Sequence, residues 1–377
     1  MKPFPRKILP WAVLLAAIAA GYFYRARLLR LYYAIPMPTT VDQGLTAPDI
    51  GEKDVVVVAQ DLKIPWALAF LPDGDILVTE RPGTLRRIGQ NGAVITVEGV
   101  THVGEGGLLG LALHPKFKEN SWLYLYLTSK VGDKVANRVE RYRLENNRLV
   151  ERTTIVQNIP GSAYHDGGVL AFGPDGMLYA ATGDAGEPFS AQDRNSLAGK
   201  ILRLKADGTI PSDNPFGTAV WSFGHRNVQG LAWDYYGRLW AVEHGRSGVQ
   251  SGLDELNVIE RGQNYGWPSI QGDETASGME SPVIHSGPWE TWAPAGAAFF
   301  NGRLFFTGLR GESLYQATII DKEIKIQAHF QKEYGRLRAV IVGPDRQLYV
   351  TTSNTDGRGE TSPGDDKILR INTALFN

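Results

Sequence analysis

Side chains that can take part in chemistry are concentrated in six glycine-containing regions of the chain. Histidine can accept a proton near neutral pH, arginine binds anionic groups, and carboxylates and backbone carbonyls are the ligands that calcium prefers. Turns do not require such combinations, so the regions are candidates for a functional site. They are Gly104–Gly110, Tyr164–Leu170 with Thr182–Pro188, Phe223–Leu231, Glu243–Pro268, Thr307–Tyr315 and Gly335–Val340.

These regions are separated by a recurring unit, in which a turn with Pro, Asp or Gly is followed by a short alternating strand. The aliphatic residues that follow the six turns are Ile76, Leu123, Leu178, Leu239, Leu304 and Leu348. Their intervals are 47, 55, 61, 65 and 44 residues. A period near 50 built of short strands is typical of a β-propeller, in which each repeat forms one four-stranded blade. The sequence therefore predicts an all-β, six-bladed β-propeller over residues 55–377, with a pair of β-sandwiches as the alternative.

A propeller also gives the polar regions a common location, since each blade would send one loop to the same end of the ring. Alternating or β-branched runs such as VVVV at Val55 support the strands locally. We expect Lys367–Asn372 to join the first blade, because closure leaves no unpaired edge strand.

Composition narrows the class of protein. Of 377 residues, 43 are glycine and 21 proline, which suits many tight turns and not a helical bundle. The net charge is -1, which argues against a basic nucleic-acid binder. Because there is no cysteine, disulfides, thiolate metal sites and cysteine nucleophiles are excluded.

The N-terminus differs from the rest of the chain. Residues 1–41 contain six basic and no acidic residues, and Ile8–Tyr24 is an uncharged, apolar run of 17 residues. We expect residues 1–34 to form a hydrophobic helix that anchors the protein in a membrane or serves as a cleaved signal, with 35–54 as a linker. A buried amphipathic helix is the remaining interpretation. Both leading interpretations place the protein in the periplasm or elsewhere outside the cytoplasm.

The order of the motifs resembles the glucose/sorbosone dehydrogenase family, the soluble quinoprotein sugar dehydrogenases. The resemblance covers about residues 55–372 and rests on GHRN-x-QG from Gly224, DE-x-N from Asp254 with NYGWP, and R-x-R from Arg336. It implies a six-bladed propeller that binds pyrroloquinoline quinone (PQQ) and calcium. It also implies oxidation of the anomeric carbon of aldose sugars to lactones, with an electron acceptor that the sequence does not identify.

The resemblance assigns roles to individual residues. His165 corresponds to the general base, and Asp184 to the carboxylate that orients it. The residues expected to bind the cofactor are Glu105, Arg226, Asn227, Arg310, Arg336 and Arg338. A carboxylate beside the anionic quinone must be protonated or paired with an arginine, and Glu105 is the residue concerned.

Two calcium sites follow from the same resemblance. The carbonyls of Gly245 and Arg246 would hold the ion of the active site, and the Glu255 carboxylate with the Tyr265 carbonyl would hold a second, structural ion. Two other functions stay open at this point. A calcium-dependent sugar lactonase would need a cage of side-chain carboxylates, and a non-catalytic binding propeller would be expected to lack His165 or the arginines.

Overall fold

Six four-stranded antiparallel sheets form the protein in a computed structural model that describes residues 54–248, 251–320 and 323–376. Five sheets follow the chain in order. They are β2(Pro65–Phe70), β3(Ile76–Glu80), β4(Thr84–Ile88) and β5(Ala93–Thr96); β6(Leu108–Leu113), β7(Trp122–Val131), β8(Lys134–Glu145) and β9(Arg148–Pro160); β10(Leu170–Phe172), β11(Leu178–Ala181), β12(Lys200–Leu204) and β13(Val220–Phe223); β14(Val228–Trp233), β15(Leu239–Glu243), β16(Glu255–Ile259) and β17(Ile284–His285); β18(Pro294–Phe300), β19(Arg303–Gly308), β20(Ser313–Ile320) and β21(Glu323–His329).

The sixth sheet combines the two ends of the described chain. It consists of β22(Leu337–Val342), β23(Leu348–Thr352), β24(Ile368–Ile371) and β1(Val55–Ala59). In the register of this pair, Val55 lies opposite Ile371 and Val57 opposite Leu369. The C-terminal strand therefore does pair with the N-terminal one, but the blade that it completes is the sixth, so the expectation that it joins the first blade was wrong.

The six sheets are the blades of a propeller, as the repeat predicts. Side chains from the first strand of every blade line one central channel, among them Trp66, Leu111, Leu170, Leu231, Ala295 and Val340. The six aliphatic residues that marked the repeat all fall in the second strand of a blade and are buried. Their spacing is regular because each blade places this strand in the same layer of the core.

An aspartate fixes several of the turns between the first and second strands. The backbone N–H groups of Asp75, Met177 and Gln347 donate to the side chain two residues earlier, which is an aspartate in each case, at 3.1–3.2 Å. Such Asx turns reverse the chain locally. The recurrent P-D signal in the sequence therefore has a direct structural cause.

The predicted N-terminal helix of residues 1–34 and the linker up to Lys53 lie outside the described residues. Within the described part, the named helices are Phe117–Asn120 and two short 3₁₀ helices, Pro188–Ala191 and Thr373–Phe376. None of the helices in this part is both long and apolar enough to cross a membrane.

Closure by β1 leads to a prediction about two truncations. Removing residues 1–40 should leave the melting temperature unchanged, because β1 is kept. Removing residues 1–60 should lower it by roughly 5–10 °C, because β24 loses the hydrogen bonds of its outer partner. Thermal unfolding followed by circular dichroism measures both. Equal melting temperatures would show that β1 contributes little, and loss of folding in the shorter truncation would place the N-terminal segment in the core.

Candidate active site

The polar regions meet at one end of the ring because of strand direction. The first and second strands of a blade are antiparallel, so the loop before the first and the loop after the second lie at the same end. Loops of both kinds line one cavity there, which the residues Trp66, Glu105, Asp166, Gly167, Gln229, His244, Leu309, Arg338 and Arg358 surround. Trp66, Gln229 and Arg338 also line the central channel, so the cavity and the channel adjoin.

A histidine and a buried carboxylate form a dyad beside this cavity. Nδ1 of His165 lies 2.8 Å from Oδ1 of Asp184, whose side chain is fully buried. The His165 side chain keeps 14% of its exposure. With Nδ1–H donating to the carboxylate, the lone pair of Nε2 is left to accept a proton from a ligand.

Asp184 is itself held in place by several donors. Its Oδ2 accepts the indole N–H of Trp267 at 2.9 Å, and its Oδ1 accepts the backbone N–H of Gly186 at 2.8 Å. Both oxygens are therefore fixed by hydrogen bonds. This makes the carboxylate a rigid support for the imidazole.

Close backbone packing explains the glycine next to this aspartate. A Cβ at Gly183 would collide with the carbonyl oxygen of His165. The residue before Asp184 must therefore be glycine if the loop that carries His165 is to lie against it. His165 itself has a φ of 60°. Such a left-handed conformation is uncommon for a residue with a side chain, and the surrounding contacts hold it.

Glu105 reaches the dyad from the second blade. Its Oε2 accepts the backbone N–H of His165 at 2.9 Å, and its Oε1 accepts Nη1 of Arg358 at 2.7 Å. Burial alone would raise the pKa of Glu105. The bond from His165, the charge of His244 when it is protonated, and the bond and charge of Arg358 outweigh burial and lower this pKa to about 2. Glu105 is thus ionised and paired with Arg358. Of the two states that the sequence allows for this carboxylate, protonated or paired with an arginine, the structure has the second.

Several buried polar atoms on the fourth-blade side of the cavity have no partner among the described residues. They are Nε of Arg226, Nδ2 of Asn227 and Nε2 of His244. Arg226 does bond Ser247 Oγ at 2.7 Å, and Oδ1 of Asn227 accepts the N–H of Gly167 at 3.0 Å. Because unsatisfied buried donors are costly, these atoms fit a polar ligand.

Burial also changes the pKa values of His244 and Asp166, which line the cavity. It lowers the pKa of His244 to about 4, so this imidazole is neutral at pH 7. It raises the pKa of Asp166 to about 6. The Oδ2 atom of Asp166 also lacks a partner among the described residues. A ligand with both donors and acceptors would satisfy these groups.

Two further arginines enter from the sixth blade. Arg336 donates from Nε and Nη2 to Oδ2 of Asp356 at 3.1 and 2.8 Å, and Arg338 donates to Gln229 at 3.2 Å. Burial and then repulsion by Arg81 lower the pKa of Arg338 to about 9. This accumulation of buried positive charge favours an anionic ligand.

The fourth-blade residues predicted to bind the catalytic calcium lie in a small hairpin. The backbone N–H of Gly245 donates to Asp254 at 2.8 Å. The Arg246 carbonyl accepts a long bond from the Gly252 N–H at 3.4 Å. Arg310 is exposed at the rim and donates to Ser251 at 2.6 Å, so it is not buried with the other arginines.

The predicted structural calcium falls in a cluster of acidic residues. Glu255 lies opposite Glu243 in the pairing of β15 with β16, and Asp254 precedes it. Burial and then the charge of Glu243 raise the pKa of Glu255 to about 8. Tyr265 is connected to the cluster because its ring stacks on His225, whose Nδ1 bonds Glu243 at 3.0 Å. A cation would relieve this repulsion, so the residues fit the ion.

Residues 54–248, 251–320 and 323–376 include no group of three His, Asp or Glu side chains arranged to hold a metal. The carboxylate cage of a lactonase is therefore not formed by this part of the chain. The two predicted calcium sites would instead rely largely on backbone carbonyls.

Sequence reasoning missed some residues of the site. Trp267 and His244 lie inside motifs that the sequence did single out, so the signal for them was present. Arg81, Asp356 and Arg358 had none, because their loops consist of ordinary turn residues.

Comparisons with known proteins agree on one family. A family model described as glucose/sorbosone dehydrogenase matches residues 62–369. The aldose sugar dehydrogenase YliI of Escherichia coli K12 is 33% identical over 345 residues, which cover 81% of this chain and 91% of that protein.

Solved structures give the same picture. The PQQ-bound form of an aldose sugar dehydrogenase from Streptomyces coelicolor has a TM-score of 0.77 at 43% identity, covering 84% of this chain and 97% of that one. An oxidoreductase (glucose dehydrogenase) from Thermus thermophilus has a TM-score of 0.80 at 44% identity, with coverages of 84% and 99%.

Proposed function

Because the chain belongs to the glucose/sorbosone dehydrogenase family, we propose that it is a PQQ-dependent aldose sugar dehydrogenase that converts the anomeric carbon of aldoses to lactones. The observation that carries this proposal is the His165–Asp184 dyad, whose histidine is bonded to Glu105 in the wall of a cavity that the buried Arg338 also lines. The reaction requires the quinone and the sugar to bind side by side. The arginines can donate to the anionic quinone, and His165 lies next to them as the base.

His165 removes the proton in this reaction. Nε2 takes the proton of the anomeric hydroxyl as the hydride leaves the same carbon, and the C–O bond becomes a carbonyl. Asp184 keeps Nδ1 protonated and stabilises the imidazolium that forms. When bound, the quinone would supply the two-electron acceptor for the hydride.

The cofactor would be held by the buried cations and the unpaired donors. Arg226, Arg336 and Arg338 can pair with its carboxylates, and Asn227 Nδ2 can donate to it. Arg310 is exposed and bonds Ser251, so its predicted role in cofactor binding has less support than that of the buried arginines. Glu105 brings no uncompensated charge because Arg358 pairs with it.

Reconstitution tests this function. Purified apoprotein is mixed with PQQ and calcium, and aldoses are added with an artificial electron acceptor. We expect the acceptor to be reduced only when quinone, calcium and aldose are all present, with lactone as the product. Quinone binding without reduction by any aldose would overturn the proposed substrate class.

Calcium at Glu255 makes a separate prediction for stability. Adding calcium to chelator-treated protein should raise the melting temperature by about 5 °C, because an ion that binds only the native state stabilises it. Glu255→Gln should remove most of the increase. Glu260→Gln, at an exposed glutamate beyond the end of the same strand, is the control and should keep it. An unchanged melting curve on adding calcium would rule out the structural ion.

The same proposal extends to the location of the protein. The apolar run Ile8–Tyr24 between basic flanks supports an extracytoplasmic enzyme attached to the membrane by its N-terminus. Cell fractionation of the full chain, compared with a chain that begins at residue 41, tests this. Equal recovery of both in the cytosolic fraction would contradict it.

A further inference from the structure

An ion pair connects the second and sixth blades, which are far apart in the sequence, at the mouth of the cavity. Arg358 belongs to the loop between β23 and β24, and Glu105 to the loop before β6, so ring closure alone brings them to 2.7 Å. The Arg358 side chain is 60% exposed and that of Glu105 only 17%. Both line the cavity.

The position of the Glu105 carboxylate does not depend on Arg358. Its second oxygen binds the backbone N–H of His165, and its location is set by the loop that follows Gly104. A Cβ at Gly104 would collide with the carbonyl oxygen of Ala163, so this loop is packed directly against the segment that carries the base.

The arginine is also placed by the site. Its backbone N–H donates to Oδ1 of Asp356 at 2.9 Å, and Oδ2 of the same aspartate binds Arg336. One aspartate therefore ties the Arg358 loop to the buried arginines. Arg358 is thus built into the cavity wall and does not belong to a detached surface loop.

We propose that Arg358 is a binding determinant for the anionic quinone, acting by neutralising Glu105 at the mouth of the cavity. The inference rests on the proposed function and adds a residue to it. An ionised carboxylate at this place repels a ligand that carries carboxylates of its own, and the guanidinium cancels that repulsion. The role of Arg358 therefore exists only as long as Glu105 is present.

A double-mutant cycle tests this dependence. Binding of PQQ to each calcium-loaded apoprotein is titrated by quenching of tryptophan fluorescence, which requires no turnover. Arg358→Ala should raise the dissociation constant about tenfold, the scale of one charge-assisted contact. In the Glu105→Gln background, the same substitution should change it less than about threefold. Arg358→Lys, which keeps the charge, should stay near the unmodified protein.

Arg148→Ala is the control, since it removes an exposed arginine from β9, and it should leave the dissociation constant unchanged. An equal loss of affinity from Arg358→Ala in both backgrounds, or no loss in either, would overturn the role of Arg358 alone. Failure of the unmodified protein to bind PQQ would instead overturn the proposed function, and this inference with it. Melting temperatures of all variants show that each is folded.

Discussion

His165→Ala should lower turnover by about 10²–10⁴-fold, the usual contribution of a general base, while the affinity for PQQ stays nearly unchanged. A fixed carboxylate positions the side chain for proton removal, because Nδ1 is bound to Asp184 and Nε2 is the nitrogen that remains to accept a proton. Quinone binding depends on other groups, mainly the buried arginines. Stopped-flow reduction of the bound quinone by an aldose measures the chemical step directly.

A histidine outside the site gives the control. His329 bonds Gln316 at 3.0 Å on the fifth blade, and His329→Gln should keep full turnover. If His165→Ala turns over normally with saturating quinone, the base is another group and the dyad mechanism is wrong.

Unlike His165→Ala, Arg226→Ala should mainly weaken cofactor binding. The affinity for PQQ should fall by about 10–100-fold, and turnover at saturating quinone should fall less. The Arg226 side chain is buried, its Nε has no hydrogen-bond partner among the residues that the structure describes, and its guanidinium lies 5.2 Å from the ring centre of Trp267. Removing it therefore takes away a desolvated positive charge from the site. Equilibrium titration with PQQ measures the change.

Arg203 provides the matched control for this substitution. It is also a buried arginine, but it pairs with Asp175 and Asp213 in the third blade. Arg203→Ala should lower the melting temperature and leave the quinone affinity unchanged. If Arg226→Ala binds quinone as tightly as the unmodified protein, the assignment of Arg226 to the cofactor is wrong. Together, His165→Ala and Arg226→Ala separate the chemical step from cofactor binding.

The fold could be predicted from the sequence because its signals are local. Several blades repeat a turn that an aspartate closes, every blade follows its first turn with a strand whose first aliphatic residue is buried, and both features are visible in a short window. Which blade the N-terminal strand completes is not visible in this way. Val57 and Leu369 pair although nearly the whole propeller separates them in the sequence. No pattern near either residue specifies its partner.

The same limit applies to the site. The proximity of His165 and Asp184 could be anticipated only through the resemblance to the family, because Asp184 on its own looks like an ordinary turn aspartate. Arg358 lies in a loop that looks like any glycine-containing turn, and its function depends on Glu105 in the second blade. Charge alone could require that Glu105 be either protonated or paired with an arginine, but only the closed ring shows that an arginine pairs with it, and which one.

Closure by β1 has a consequence for the order of events during synthesis. The first strand of the propeller leaves the ribosome early, and its partner β24 follows about 310 residues later. At 5–20 residues per second this delay is roughly 15–60 s. During this time the valine-rich strand has an unpaired edge, which is a template for aggregation. Recovery of folded protein should therefore depend on chaperones that shield β1 until translation ends.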